Sequence, residues 1–280
     1  MVETQKNDHT RSSTLWNFGG AIYRGGIEEA RPTKIARMTW LLLGVIVVYF
    51  AVLQLTLRHY ESGLERDSVA ILERVANWHR TGVYVGEDAT GGFVPPLALY
   101  CFRLPLALGA PLEQGCLFLI LLFGMSVPVL SFLLARECYP DDRTGLVFAA
   151  LMASNPYLHD IYNSIIRDPL FIPLALVALW LTIRHFKRPG AITACAAGIV
   201  SALALLTRYE GILLPAVFVL FALWAAFRDR SWKGLAAQLS AFLLSWAAVI
   251  FLLLCFWNVL YIAWRVSQWR YLTCLGRVYG

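Results

Sequence analysis

Three short groups of charged residues in this chain have the side chains needed to act on a phosphate-linked substrate. They are Arg66-Asp67, Arg167-Asp168 and Arg208-Tyr209-Glu210. Arginine can bind a phosphate through two parallel N–H donors and offset negative charge on a leaving group. A carboxylate can deprotonate an acceptor hydroxyl, or hold a metal ion that does so. The three groups therefore predict a transfer site, provided that the fold brings them to one place.

Each group also has a purely structural interpretation. Asp67 at the start of a helix can cap free N–H groups and face the positive end of the helix dipole. Arg167-Asp168 can begin a helix ahead of Pro169, while Arg208 and Glu210 can reach from a helix end into water. The case for chemistry depends on whether all three groups lie on one face of the molecule.

The composition indicates an integral membrane protein. Of the 280 residues, 59% are hydrophobic and 15% are charged, whereas soluble proteins average roughly 45–50% apolar and 25% charged residues. Long continuous apolar runs favour an all-α bundle over a barrel of alternating strands. The six cysteines lack the paired spacing of a disulfide framework or metal site. The net charge of +6 is modest and does not indicate nucleic-acid binding.

Seven apolar runs, taken with their flanks, are expected to cross a hydrocarbon core of ~30 Å. They are residues 39–57, 112–135, 145–158, 170–183, 191–206, 212–227 and 235–264. We therefore predict a transmembrane module at 38–264. It follows a cytoplasmic segment, 1–37, in which no cleaved signal peptide is expected. It precedes a C-terminal tail, 265–280, whose last residue need not be the native end.

The distribution of basic residues predicts how the module is oriented. The short turns after the second, fourth and sixth spans contain eight Lys and Arg, and those after the third and fifth contain two. The positive-inside rule then places the N-terminus in the cytoplasm. The outer face would hold the first loop, 58–110, and the turns with Arg167 and Arg208. The first of these turns also contains His159-Asp160, a candidate acid–base pair.

The first outer loop is predicted to contain two helices lying at the membrane interface. The segment from Glu65 to Tyr84 has apolar residues at helical spacing and charged residues opposite them, as in a surface-lying amphipathic helix. Leu97 to Gly109 is apolar but too short for a full crossing. The predicted apolar side of the first helix consists of Val69, Leu72, Val75, Ala76 and His79.

Five segments, in this order, resemble the GT-C superfamily of membrane glycosyltransferases. The resemblance is strongest to the bacterial branch with protein mannosyltransferases and the lipid A aminoarabinose transferase, and it covers residues 39–264. The segments are Arg66-Asp67, Thr81-Gly82-Val83-Tyr84, Pro95-Pro96-Leu97, Ile166-Arg167-Asp168-Pro169-Leu170 and Leu206-Thr207-Arg208-Tyr209-Glu210-Gly211.

This resemblance implies an all-α module of about seven spans that uses a polyprenyl-phosphate sugar as donor. The acceptor would be a glycan, a lipid or a protein on the extracytoplasmic face of the bacterial inner membrane. Asp67 would be the catalytic base or a metal-facing carboxylate, and a divalent metal ion is left open as a cofactor. The residues implied in substrate binding are Arg66, Arg167, Asp168, Arg208, Tyr209 and Glu210.

The chain departs from the family pattern in two respects. Members often have Asp-Glu where this chain has Asp67-Ser68, which leaves Glu65 or Glu73 as a second carboxylate. Members are also usually longer, which leaves open a minimal form, a fragment or an inactive relative. Two other classes of function are therefore kept: a transporter or flippase of lipid-linked or small polar substrates, and a non-catalytic scaffold. The absence of an internal repeat argues against the transporter.

Overall fold

The structure is a computed structural model that describes residues 34–60, 66–82, 96–139, 141–229, 234–253 and residue 255. The chain divides into two units, Met1–Arg37 and Met38–Gly280. Of the first unit, only the opening turn of the first helix is described. The features discussed below all belong to the second unit.

The described residues form ten α-helices and one short 3₁₀ helix, and they contain no strand. This confirms the predicted all-α class. The helices are α1 Lys34–Tyr60, α2 Arg66–Thr81, α3 Pro96–Ala107, α4 Leu112–Cys138, α5 Asp142–Ala153, α6 Pro156–Asn163, α7 Asp168–Lys187, α8 Ala191–Leu205, the 3₁₀ helix Tyr209–Ile212, α9 Leu213–Asp229 and α10 Gly234–Leu253.

Among the described residues, five helices are long and apolar enough to cross a membrane. They are Arg37–His59, Leu112–Cys138, Asp168–Lys187, Tyr209–Arg228 and Gly234–Leu253. α3 and α8 are apolar but shorter. The seven spans predicted from the sequence therefore remain a prediction, and the end of the last one, beyond residue 255, lies outside the described residues.

The predicted span at 145–158 is wrong in its extent, because the chain breaks there into α5 and α6. α5 ends at Ala153, and the side chain of Asn155 accepts a hydrogen bond of 3.0 Å from the Tyr157 N–H to cap α6. A residue before proline avoids helical angles, and Pro156 fits the first position of a new helix. With 12 residues, α5 is about 18 Å long.

α2 forms where it was predicted, but its buried side is different. The buried residues are Ser68, Ile71, Val75 and Trp78, while Val69 and His79 of the predicted apolar side are exposed. The reason is tertiary contact with α3. The Trp78 ring packs edge-on against Tyr100 at 4.7 Å and beneath the guanidinium of Arg103 at 4.4 Å. These contacts favour the face with Trp78 over the face with His79.

α4 is the centre of the packing and lies against both α5 and α7, while α7 also packs on α8. The close approach of α4 and α5 depends on Gly145, where a Cβ would come within 2.7 Å of the Phe132 ring. The largest core cluster joins α1, α2, α3, α4 and α6 around the fully buried side chains of Phe50, Phe102 and Tyr162.

Polar contacts join the helix ends farthest from the three charged groups. Arg136 at the end of α4 forms an ion pair of 2.9 Å with Asp142 at the start of α5. Thr39 of α1 donates a hydrogen bond of 3.2 Å to the same carboxylate. Lys187 at the end of α7 donates to the carbonyl oxygen of Glu137. The bundle therefore has one basic end, and the residues predicted to do chemistry lie at the other.

Candidate active site

The first turn of α2 is hydrogen-bonded to the turn between α6 and α7. Ser68 Oγ accepts the backbone N–H of Ile165 at 2.9 Å, and both residues are fully buried. Ile165 lies two residues before Arg167 and three before Asp168. This contact brings two of the three predicted groups, separated by about a hundred residues in sequence, to the same end of the bundle.

Asp67 is exposed at this junction. It lies in the first turn of α2, and its carboxylate forms no hydrogen bond or ion pair with any residue that the structure describes. It therefore does not cap a described backbone N–H, although its position near the helix N-terminus suits a negative charge. The side chain of Arg66 and all of Glu65 lie outside the described part of the structure.

The second and third groups are joined through Arg208. Its Nε and Nη2 donate to the two carboxylate oxygens of Glu210 at 3.0 and 2.6 Å, and its Nη1 donates to Asp168. The hydrogen bond with Glu210, assisted by the charge of Asp168, raises the pKa of Arg208 above its ordinary value. Arg208 is thus a permanent cation that fixes the start of α7 to the 3₁₀ helix.

Arg167 differs from Arg208 in having no such partner in the part of the chain that the structure describes. Its side chain is half-buried and forms no hydrogen bond or ion pair with the described residues, although it lies within electrostatic range of Glu210. Arg208 therefore pairs with two carboxylates, whereas Arg167 pairs with none among the described residues.

Two backbone contacts place the Arg208 turn. The N–H of Leu97 at the start of α3 donates to the carbonyl oxygen of Leu206 at 3.0 Å. Gly211 lies directly against the end of α8, where a Cβ would come within 2.5 Å of the Leu205 Cα. Only glycine permits this approach. Tyr209, between the two charged residues, is 52% exposed.

A buried layer beneath the site supports the α6–α7 turn. The hydroxyl of Tyr162 donates to the carbonyl oxygen of Pro169 at 3.2 Å. Burial raises the pKa of Tyr162 well above its usual value, so the hydroxyl stays protonated as a donor. Arg58 at the end of α1 donates to the carbonyl oxygens of Tyr162 and Leu117 at 2.8 and 3.0 Å.

Two of these residues, Arg58 and Ser68, were not predicted to contribute to the site. Arg58 carried a usable signal, because an ionisable residue at the edge of an apolar span is costly unless it has partners. Ser68 stood out only as a departure from the family's Asp-Glu pattern, and no local pattern indicates its hydrogen bond with Ile165.

The predicted pair of His159 and Asp160 is not formed as an acid–base unit. His159 is buried, with Nε2 2.8 Å from the carbonyl oxygen of Ala153 and Nδ1 2.6 Å from Nε2 of Gln54. The tautomer with its proton on Nε2 satisfies both contacts. Asp160, in contrast, is exposed.

The described residues do not offer an evident metal site. No group of three or more His, Cys, Asp or Glu side chains with metal-binding geometry occurs among them. Asp168 and Glu210 both form ion pairs with Arg208. A metal ion would have to compete with that arginine for these ligands.

The comparison with known proteins was made against family models and curated sequences. A family model described as dolichyl-phosphate-mannose-protein mannosyltransferase matches residues 94–257, which is more than half of the chain. The match includes Arg167, Asp168 and the Arg208 turn, and it begins after α2 with Asp67. No curated protein matches this chain.

The family match and the helices agree with each other. The matched family is of the GT-C mannosyltransferase type, which confirms the resemblance seen in the sequence. Several helices are long and apolar enough to cross a bilayer, as a multi-pass enzyme of this type requires. The chain therefore belongs to the dolichyl-phosphate-mannose-protein mannosyltransferase family and is a membrane glycosyltransferase of the GT-C type.

Proposed function

We propose that this glycosyltransferase moves a sugar from a polyprenyl-phosphate donor to an acceptor hydroxyl on the extracytoplasmic face of the bacterial inner membrane. The observation that carries the proposal is the junction of α2, the α6–α7 turn and the Arg208 turn at one end of the bundle. The Ser68–Ile165 hydrogen bond and the Arg208–Asp168 ion pair form this junction. It places at the same end the exposed carboxylate of Asp67 and the Arg167 guanidinium, which has no ion pair among the described residues.

The donor class is supported by the site's charge and by the name of the family. That name contains dolichyl-phosphate mannose, a sugar on a polyprenyl phosphate. Because its lipid tail lies in the bilayer, the phosphate of such a donor sits at the interface, where helix ends meet water. Arg167 is proposed as the main phosphate contact, with the remaining N–H groups of Arg208 as a second one. Asp168, Tyr209 and Glu210 would line the sugar, and Arg66 is proposed to lie nearby.

Asp67 is proposed as the general base. Its carboxylate takes the proton of the acceptor hydroxyl as the acceptor oxygen forms a bond to the anomeric carbon. The bond from that carbon to the phosphate oxygen breaks, its electron pair goes to the phosphate, and the arginines offset the added charge. The products are the glycosylated acceptor and the polyprenyl phosphate. The acceptor is proposed to be a protein, a lipid or a glycan.

The orientation is proposed from the opposite, basic end of the bundle. Arginines there stack on aromatic residues one helical turn earlier, as in the pairs Arg184–Trp180 and Arg228–Trp224, at 5.2 and 4.7 Å. Aromatic residues and arginine favour the membrane interface, and basic residues favour the cytoplasmic side. The N-terminus is therefore proposed to be cytoplasmic and the site extracytoplasmic.

The test is sugar transfer by the purified full chain in liposomes, with a panel of labelled polyprenyl-phosphate sugars that includes mannose and aminoarabinose. We expect the labelled sugar of one donor to be transferred to an acceptor. A parallel reaction with a chelator shows whether a divalent metal is needed. Folded protein that binds polyprenyl phosphate but turns over no donor would contradict the proposal and favour a scaffold. Movement of intact donor across the bilayer would favour a flippase.

A further inference from the structure

Two side chains, one at the end of α1 and one at the start of α2, bind the backbone of the same short segment. Arg58, in the last turn of α1, binds the carbonyl oxygen of Tyr162 at the end of α6. Ser68, in the first turn of α2, binds the N–H of Ile165, three residues further along. The two side chains therefore hold the segment 162–165 from α1 and from α2. This segment leads directly into Arg167 and Asp168.

Neither contact is easily replaced by another residue. Ile165 is fully buried, so loss of the Ser68 Oγ acceptor would leave a buried N–H without this hydrogen bond, which is costly. Arg58 reaches two carbonyl oxygens with separate nitrogens of one planar group, and its second partner is Leu117 of α4. A lysine cannot make this forked contact in the same geometry. The arrangement thus fixes three helices to one turn.

We propose that Ser68 and Arg58 are positioning residues that hold Asp67 at a set distance from the turn that carries Arg167. The inference rests on the proposed function of Asp67 and extends it. It also accounts for the departure at Ser68, where related enzymes often have a second carboxylate. The residue next to Asp67 serves here to bind the α6–α7 turn, and its burial removes it from contact with an acceptor.

The donor side of the site and the Asp67 side are held by different contacts. The donor side is held by the Arg208–Asp168 ion pair and by the Leu97–Leu206 hydrogen bond, and neither involves α2. Loss of the Ser68 hydroxyl should therefore displace Asp67, while Arg58 and the Arg208–Asp168 ion pair still hold the turn that carries Arg167. The expected kinetic result is a fall in kcat with little change in the KM for the donor, because only deprotonation of the acceptor suffers.

The experiment compares wild type with Ser68→Ala, Ser68→Thr and Arg58→Lys, with Ser154→Ala as the matched control. Ser154 lies at the same end of the bundle, but among the described residues its hydroxyl binds carbonyl oxygens of the preceding helix alone. We expect Ser68→Ala to lower kcat on the order of 10-fold or more, with the donor KM within about twofold. Arg58→Lys loosens the turn that carries Arg167, so it should lower kcat and also raise the donor KM. Ser68→Thr, which keeps the hydroxyl, should recover part of the loss. Ser154→Ala should match wild type.

Hydrogen exchange provides a second readout that does not depend on turnover. In Ser68→Ala, amide exchange should rise roughly 10-fold or more at Ile165 and stay unchanged in residues 204–212. Unchanged exchange of the Ile165 amide in Ser68→Ala, or a rise in its donor KM equal to the fall in its kcat, would overturn the inference. Wild-type protein that transfers no sugar would instead refute the proposed function, whatever the variants show in hydrogen exchange.

Discussion

Arg208 forms an ion pair with Asp168, forty residues earlier in the chain, and so joins the start of α7 to the 3₁₀ helix after α8. Because Arg208 also pairs with Glu210, one guanidinium links both predicted groups. Removing Arg208 would leave two neighbouring carboxylates without this partner in a partly buried site.

A double-mutant cycle of Asp168→Asn and Arg208→Gln should show this link as a coupling free energy. We expect about 1 kcal/mol, because the pair is partly exposed and solvent screening reduces its strength. The measurement is the free energy of unfolding of the four proteins in detergent. Additive effects of the two changes would mean that the ion pair contributes nothing to stability.

Arg167→Ala should weaken donor binding more than it weakens the fold. Its guanidinium has no described protein partner, so little stability is lost, while the main proposed contact to the phosphate disappears. We expect the KM for the donor to rise roughly 10- to 100-fold, as for a lost charge-assisted contact. Arg143→Ala, an exposed arginine at the opposite end, is the control and should leave the KM unchanged. Equal effects of the two substitutions would contradict a specific role.

Gly211→Ala should prevent the Arg208 turn from packing. The added Cβ would lie within 2.6 Å of backbone atoms of Ala204 and Leu205, and backbone cannot move aside as a flexible side chain can. The expected result is a large loss of monodisperse protein in size-exclusion chromatography. Gly44→Ala is the matched control, because no heavy atom lies within 4 Å of its Cβ position. It should fold as well as wild type or slightly better, given the helix preference of alanine.

His159→Ala should destabilise the protein without changing the pH dependence of transfer. The ring joins α1 to α6 through Gln54 and stacks on Phe50 at 5.1 Å between centroids. Its loss leaves a cavity and unpaired polar atoms, for which we expect roughly 2–4 kcal/mol. Thermal unfolding measures the first effect, and the pH–rate profile of the remaining activity measures the second. A shifted profile would give His159 the acid–base role that its burial argues against.

The sequence was most informative where one physical property dominated. Continuous hydrophobicity located the long helices, and amphipathic spacing located α2. It failed on the buried side of α2, because Trp78 and Ser68 owe their burial to contacts with Arg103 and Ile165 that are distant in sequence. Local capping rules predict a helix break at Asn155-Pro156. The apolar run around these residues instead suggested one continuous span.

The charged groups of the candidate site were predicted from the sequence, but the contacts between them were not. The order of the charged groups indicated one face, whereas the pairing of Arg208 with Asp168 depends on how α7 and α8 pack. No local pattern distinguishes the paired Arg208 from Arg167, and that distinction comes only from the fold.

The measurement that tests the account most directly is sugar transfer by Asp67→Asn beside wild type and Asp160→Asn. Asp160 is an exposed aspartate at the same end of the bundle, so it controls for the loss of a carboxylate there. We expect Asp67→Asn to lower kcat by roughly 100-fold or more, as for loss of a general base, while donor binding, the unfolding temperature and Asp160→Asn activity stay near wild type. Full activity of Asp67→Asn, or its failure to fold, would contradict the assignment of Asp67 as the catalytic base.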